Sequence, residues 1–237
     1  MRIAVVTHVP FEGPAAIAEW AGSRGHWLTD VSAPLGMFPE PDAYDALVVM
    51  GGPMNVDQEQ EYPWLAAEKR AIRAAVEAGC GVLGVCLGAQ LLAVALGGSV
   101  SRNPEPEIGW FPVTLTPAGR ASAVFGVLPQ RFTTGLWHGD TFEPPAGAVR
   151  TLSSQACVNQ AFELADGRVM GWQFHPEWTR ASLGALVDAC GEELVPGRYV
   201  VTANELLAAD APFAHNRELL CELLDAWAAR VMALRFE

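Results

Sequence analysis

Residues 78–101 contain no charged side chain over 24 positions. By length alone such a run suits a membrane span. Six glycines (Gly79, Gly81, Gly84, Gly88, Gly97 and Gly98) cut it into a strand-sized and a helix-sized piece, and Gln90 sits in its middle without an obvious polar partner nearby. The pattern therefore predicts a buried central parallel strand over "CGVLGV", a sharp turn, and a buried helix over "LGAQLLAVALGG". No membrane contact is expected, and the chain around this segment is expected to be α/β.

The flanking sequence repeats the alternation. An apolar run at 3–6 predicts a first strand, 14–22 a helix, and 26–31 and 46–50 two more strands, the last running into the glycine turn of "GGPMNV". In "YPWLAAEKRAIRAAVEAG" the apolar Leu65, Ile72, Ala75 and Val76 recur at helical spacing up to the stop at Gly79. Between 99 and 170 the texture changes to β-like pieces, "IGWFPVTL", "RFTTGLW", "CVNQAFEL" and "RVMGWQF", expected to be mixed or antiparallel. After a loop containing "VPG", a tail helix carries Leu220, Leu223, Leu224, Trp227 and Val231 on one face. The simplest partition is a domain over residues 1–190 and a helical C-terminal extension over 191–237 packed on it.

Charge narrows the function. With 27 acidic against 15 basic residues the chain carries a net −12, opposite in sign to what a phosphate backbone or an anionic lipid surface attracts, so no nucleic-acid partner is expected. The single lysine, Lys69, cannot complete a GxxxxGK[ST] phosphate loop anywhere in the chain. ATP chemistry, if needed, is expected on another polypeptide. Five scattered cysteines without a CxxC pair point away from zinc or disulfide frameworks and toward a reducing cytoplasm. His8, Pro10 and Glu12 interrupt the first apolar run too soon for a secretion signal. No metal or other cofactor is expected.

The chemistry centres on Gly84-Val85-Cys86-Leu87-Gly88, which has the G-x-nucleophile-x-G form of a nucleophile elbow in the strand-to-helix setting that motif requires. The glycines relieve collisions that side chains two positions either way would make. The helix starting after Cys86 points unpaired N–H groups at the sulfur, which favours negative charge there. A thiolate nucleophile needs a proton carrier. Among five histidines, His175 in "FHPE" has Glu177 two residues on, on the same side of an extended chain, where it can hold the ring's orientation. Backbone donors for an oxyanion are available at Leu87 and in the Gly51-Gly52 turn.

Taken in order, "GGPMNV", "GVCLGAQ", "HGD" at 138–140 and "FHPE" resemble the class I, triad-type glutamine amidotransferases, over about residues 1–190. The similarity is greatest to the amidotransferase domain of GMP synthetase and its stand-alone relatives. The resemblance implies a flavodoxin-like three-layer sandwich with a central, mostly parallel sheet. It implies that Cys86 attacks the γ-amide of glutamine and releases ammonia through a γ-glutamyl thioester, with His175 as acid and base and Glu177 orienting it. It further implies oxyanion donors at Gly52 and Leu87, and a small-molecule site for the glutamine α-groups at Gln90, Trp137, Gly139 and Asp140. A separate synthetase subunit would then be the ammonia acceptor. Two alternatives stand beside this reading: a stand-alone γ-glutamyl peptidase or hydrolase, and a non-catalytic or redox-sensing binding protein on the same fold.

Overall fold

Alternation along the first strand decides the layering. In β1 (Arg2–Thr7), Ile3 and Val5 face one side of the sheet and Ala4 and Val6 the other, all four buried, so both faces must be covered. The computed structural model describes residues 1–208 and 211–234. It places β1 in a nine-stranded sheet with β2 (Trp27–Ser32), β3 (Ala46–Val49), β4 (Gly81–Val85), β5 (Ser99–Leu115), β6 (Arg131–Glu143), β7 (Val149–Ser153), β8 (Ala161–Leu164) and β9 (Val169–Trp172). The strand order is β2-β1-β3-β4-β9-β8-β7-β5-β6. From β2 to β9 every pairing is parallel, and from β9 to β6 every pairing is antiparallel.

Helices cover both faces, giving the three-layer α/β sandwich. On one side α1 (Ala16–Ser23) packs against the long C-terminal helix, and on the other lie α2 (Trp64–Glu77) and α3 (Leu87–Ala95). The remaining helices are α4 (Pro117–Ala121), α5 (Arg180–Cys190), α6 (Ala203–Ala208) and α7 (Ala211–Leu234). Eight of the nine residues of α3 are buried, which accounts for the missing charge in the central run: it is a helix enclosed by sheet and neighbours.

Two sequence expectations shift. The piece "CVNQAFEL" is strand only over Ala161–Leu164, because Cys157 and Asn159 precede it in a loop tied back through Ser154, and β7 was not foreseen at all. The tail helix does pack as its apolar face predicts. Leu220, Leu223, Leu224, Trp227 and Val231 lie in the same core cluster as Ile3, Val5 and Leu83, and the Trp227 indole donates to the Arg168 carbonyl at 3.0 Å. Trp227→Ala is therefore expected to cost about 3–5 kcal/mol in urea unfolding, the range for emptying a buried aromatic site. A loss under about 1 kcal/mol would mean that this helix adds little to the core.

Parallel pairing gathers the functional loops. The C-terminal ends of β1, β3 and β4 lie side by side, so His8, the Gly51-Gly52 turn and Cys86 emerge at one edge of the sheet. Ligand sites of open α/β sheets form at such strand ends.

Candidate active site

Cys86 stands between β4 and α3 with φ 50° and ψ −110°, a left-handed conformation that costs a non-glycine residue about 1–3 kcal/mol. Its own N–H donates to the Trp172 carbonyl at 2.8 Å, and its carbonyl accepts from Ala89 and Gln90 in the first turn of α3, so the strain is held from both ends. A Cβ at Gly84 would lie 2.5 Å from the Gly88 backbone, and one at Gly88 would collide with the Val49 carbonyl. The elbow reading of these two glycines thus has a direct steric cause.

Around the sulfur, the Gln173 amide donates to Sγ at 3.3 Å and the Trp137 carbonyl lies 3.6 Å away. His175 sits next to Cys86, and its Nδ1 lies 2.7 Å from Glu177 Oε1. Burial of the ring disfavours its charge, but the Glu177 carboxylate, its hydrogen bond and the neighbouring Cys86 outweigh it and hold the imidazole well above its ordinary pKa. The ring also stacks on Trp178, centroids 4.7 Å apart and planes 8° from parallel. The His-Glu contact expected from an extended run is made in a turn after β9, where Pro176 bends the chain. The Glu177 carbonyl accepts from the Ala16 N–H at 3.1 Å, and His175 N–H donates to the Gly135 carbonyl at 2.7 Å, which anchors that turn.

A cavity of about 620 Å³ opens in front of the cysteine. Gly52, Leu87, Gln90, Trp137, Gly139 and Asp140 all line it with Cys86, whereas His175 and Glu177 lie behind, along a small adjoining cleft with Gly51 and Trp178. Gln90, partnerless in sequence, donates to Gln173 at 3.2 Å, so Gln90, Gln173 and Cys86 form a hydrogen-bonded chain. Against Gly139 packs the Arg102 guanidinium, 3.5 Å from Asp140. The far wall comes from residues 193–198, where Glu193 accepts from the Trp137 indole at 3.1 Å and residues 195–198 follow it along the rim.

Sequence reasoning missed a group behind the glycine turn. His8 looked solitary, but its Nδ1 donates to the Gly51 carbonyl and its Nε2 meets Glu68, both at 2.8 Å and fully inside the protein. No local pattern could link positions 60 residues apart; only the docking of α2 near the C-terminal end of β1 does so. This pair clamps the turn that places Gly52 on the cavity wall. Burial opposes the His8 charge, yet the hydrogen bond and charge of Glu68 raise its pKa above 6.5. A histidine raised in the folded state contributes stability that is complete below the unfolded value near 6.5 and is lost as pH climbs through the folded one. His8→Gln keeps a donor and an acceptor but cannot titrate. The stability gap between wild type and His8→Gln in urea melts should therefore shrink from pH 6 to pH 9; a gap that is constant or widens would reverse the assigned direction.

A second Cys/His/Glu group lies nearby. Glu107, His138 and Cys157 are buried with their ligand-type atoms within 4.8 Å of one another, and among the described residues they are the group able to hold a metal ion. Their polar atoms are already engaged. Glu107 accepts from Ser154 at 2.7 Å and from Gln160 at 2.7 Å and meets His138 Nε2 at 3.2 Å, while His138 Nδ1 donates to the Asp140 carbonyl at 2.9 Å. The network ties β5 to β6 just where Trp137, Gly139 and Asp140 enter the cavity.

At the strand ends of this three-layer α/β sandwich, an elbow-mounted cysteine thus lies beside a histidine-carboxylate pair. The chain belongs to the class I glutamine amidotransferase family: that family's model, "Glutamine amidotransferase class-I", matches residues 28–187. The glutamine amidotransferase-like protein YfeJ of Salmonella typhimurium is 34% identical over 95% of this chain and 96% of its own length. The GMP synthase (glutamine-hydrolyzing) of Aeropyrum pernix is 30% identical over 71% of this chain, which corresponds to only 33% of that enzyme. Among solved structures, a glutamine amidotransferase from Thermotoga maritima superposes with a TM-score of 0.85 at 29% identity, covering 96% of this chain and 97% of that one.

Proposed function

We propose that the protein hydrolyses the γ-amide of a glutamyl substrate through a γ-glutamyl thioester on Cys86, with glutamine as the simplest substrate. The observation that carries the proposal is Cys86 in a strained elbow conformation, next to a histidine that is itself 2.7 Å from a buried carboxylate. Cys86 Sγ attacks the γ-carbonyl carbon as its proton passes to His175, and the N–H groups of Gly52 and Leu87 receive the developing oxyanion. When the C–N bond breaks, His175 returns the proton to the leaving amine, which departs as ammonia or an amine. His175 then takes a proton from water, which attacks the thioester, and glutamate leaves as the thiol re-forms. Glu177 orients the ring and stabilises its charged form. Gln90, Gly139, Asp140 and the backbone at Trp137 hold the substrate α-amino and α-carboxylate groups.

A second reading is a stand-alone γ-glutamyl hydrolase acting on larger conjugates. It is favoured by the cavity, which at 620 Å³ falls in the range of drug-sized ligands and is walled in part by the 191–237 extension. On the first reading a separate synthetase takes the ammonia; on the second none is needed. We also propose that 191–237 serves the 1–190 domain as an extension completing that wall, and that the protein works in a reducing compartment such as the cytoplasm, in keeping with five free cysteines. Among the described residues no helix is long and apolar enough to cross a membrane. The test is mass-spectrometric capture of a +γ-glutamyl adduct on Cys86 from glutamine and γ-glutamyl dipeptides, alongside ammonia and glutamate release by the isolated protein. Adduct on another residue, or none with any substrate, would favour the non-catalytic binding or redox-sensing alternative.

A further inference from the structure

The cavity has two chemically different ends. At one, Asp140, Gly139, Gln90 and Arg102 surround the place proposed for the α-groups of the glutamyl half. Beside the nucleophile, on the side of His175, stands Glu12. A Cβ at Gly51 would collide with a Glu12 carboxylate oxygen and lie 3.5 Å from His175 Cε1, so the carboxyl and the imidazole flank the same glycine. Glu12 lines both the main cavity and the cleft that holds His175 and Glu177, and among the described residues its carboxyl makes no hydrogen bond or ion pair. His175 is the group that protonates the departing amine, so Glu12 borders the path of the leaving group. Glu193, held at the Trp137 indole, is the other carboxylate close enough to act on Glu12 electrostatically from the cavity wall.

We propose that Glu12 and Glu193 select γ-glutamyl amides whose amine half carries a positive charge, such as γ-glutamyl conjugates of diamines. This rests on the thioester reading above and names the substrate class for it. A half-buried carboxyl that faces the cavity without a protein partner leaves a place for a cation, and an ammonium group on the substrate supplies what the protein does not. Burial raises the Glu12 pKa against the pull of His175 and His8, with Glu177 and Glu193 adding to the rise; a bound cation would relieve that frustration. The two cavity arginines do not cancel this field locally: Arg102 lies at the Asp140 end, and Arg198 sits over the Tyr199 ring at 5.1 Å. The net charge of −12 adds long-range attraction for cations.

The experiment compares three γ-glutamyl amides of similar length: those of 1,4-diaminobutane, n-pentylamine and 4-aminobutyrate, with cationic, neutral and anionic amine halves. Wild-type kcat/KM is expected to fall in that order, with the cation preferred over the neutral isostere by about tenfold or more. Glu12→Gln should bring the cation-to-neutral ratio toward one, and Glu193→Gln should lower it partway, which keeps a reading if one variant fails to fold. Turnover without preference for the cation, or a ratio unchanged in both variants, would overturn the inference while leaving the thioester chemistry standing. No turnover and no Cys86 adduct with any of the three or with glutamine would overturn both.

Discussion

Cys86→Ala is expected to abolish turnover, by a factor of at least about 10³, while leaving the unfolding midpoint within a few degrees of wild type. On the proposed mechanism Cys86 Sγ forms the thioester, and Cys190, which also lines the cavity, is kept protonated by a pKa pushed up to about 11. Its contribution to packing is small, and alanine keeps the Cβ in the same elbow with the backbone bonds to Trp172, Ala89 and Gln90 intact. Cys86→Ser tests the same point with a hydroxyl that His175 has to deprotonate much less readily than a thiol, and should be comparably inactive. Steady-state ammonia or amine release together with thermal melting decides the matter. Activity in Cys86→Ala within tenfold of wild type would remove Cys86 from the mechanism.

Gly88→Ala should do the reverse and damage structure first. A methyl group there runs into the Val49 carbonyl and lies 3.0 Å from that of Met50, both backbone atoms of the neighbouring strand end, so nothing can swing aside. Either α3 moves off the sheet or the elbow distorts. Overpacking of a rigid site costs about 1–3 kcal/mol and here, with backbone on the receiving side, about 3 kcal/mol or more is expected in urea unfolding. Turnover should drop as well, since the Leu87 N–H proposed for the oxyanion sits one residue away. Gly22→Ala is the matching control: nothing lies within 4 Å of its added methyl, and a helical position gains slightly from alanine. Equal stability of Gly88→Ala and Gly22→Ala would contradict the steric account of the elbow.

The local elements were readable because each rests on short-range regularities. The elbow glycines, the amphipathic period of α2 and the apolar face of α7 are patterns within a few turns of chain, and all appear within two or three residues of where spacing puts them. The antiparallel wing was harder. Its strands are edged by polar residues such as Gln160 and Asn159 whose partners lie across a loop or on another strand, so alternation is broken and β7 leaves little trace. Glu12, Arg102, Gln173 and Glu193 escaped notice for a related reason: none sits in a motif, and each reaches the site from a loop or a bulged strand.

From its residues alone this chain determined the strand, turn and helix around Cys86, the pairing of His175 with Glu177, and the glycines that let strand and helix backbones approach at the elbow. Those depend on steric limits and on contacts between near neighbours. Tertiary structure alone decided that His8 and Glu68 meet behind the glycine turn, that Gln90 reaches Cys86 through Gln173, and that Glu12 and Glu193 face one cavity. Such encounters follow from the order of parallel strands and the docking of a distant tail, and side-chain spacing along a sequence carries no record of distances across the fold.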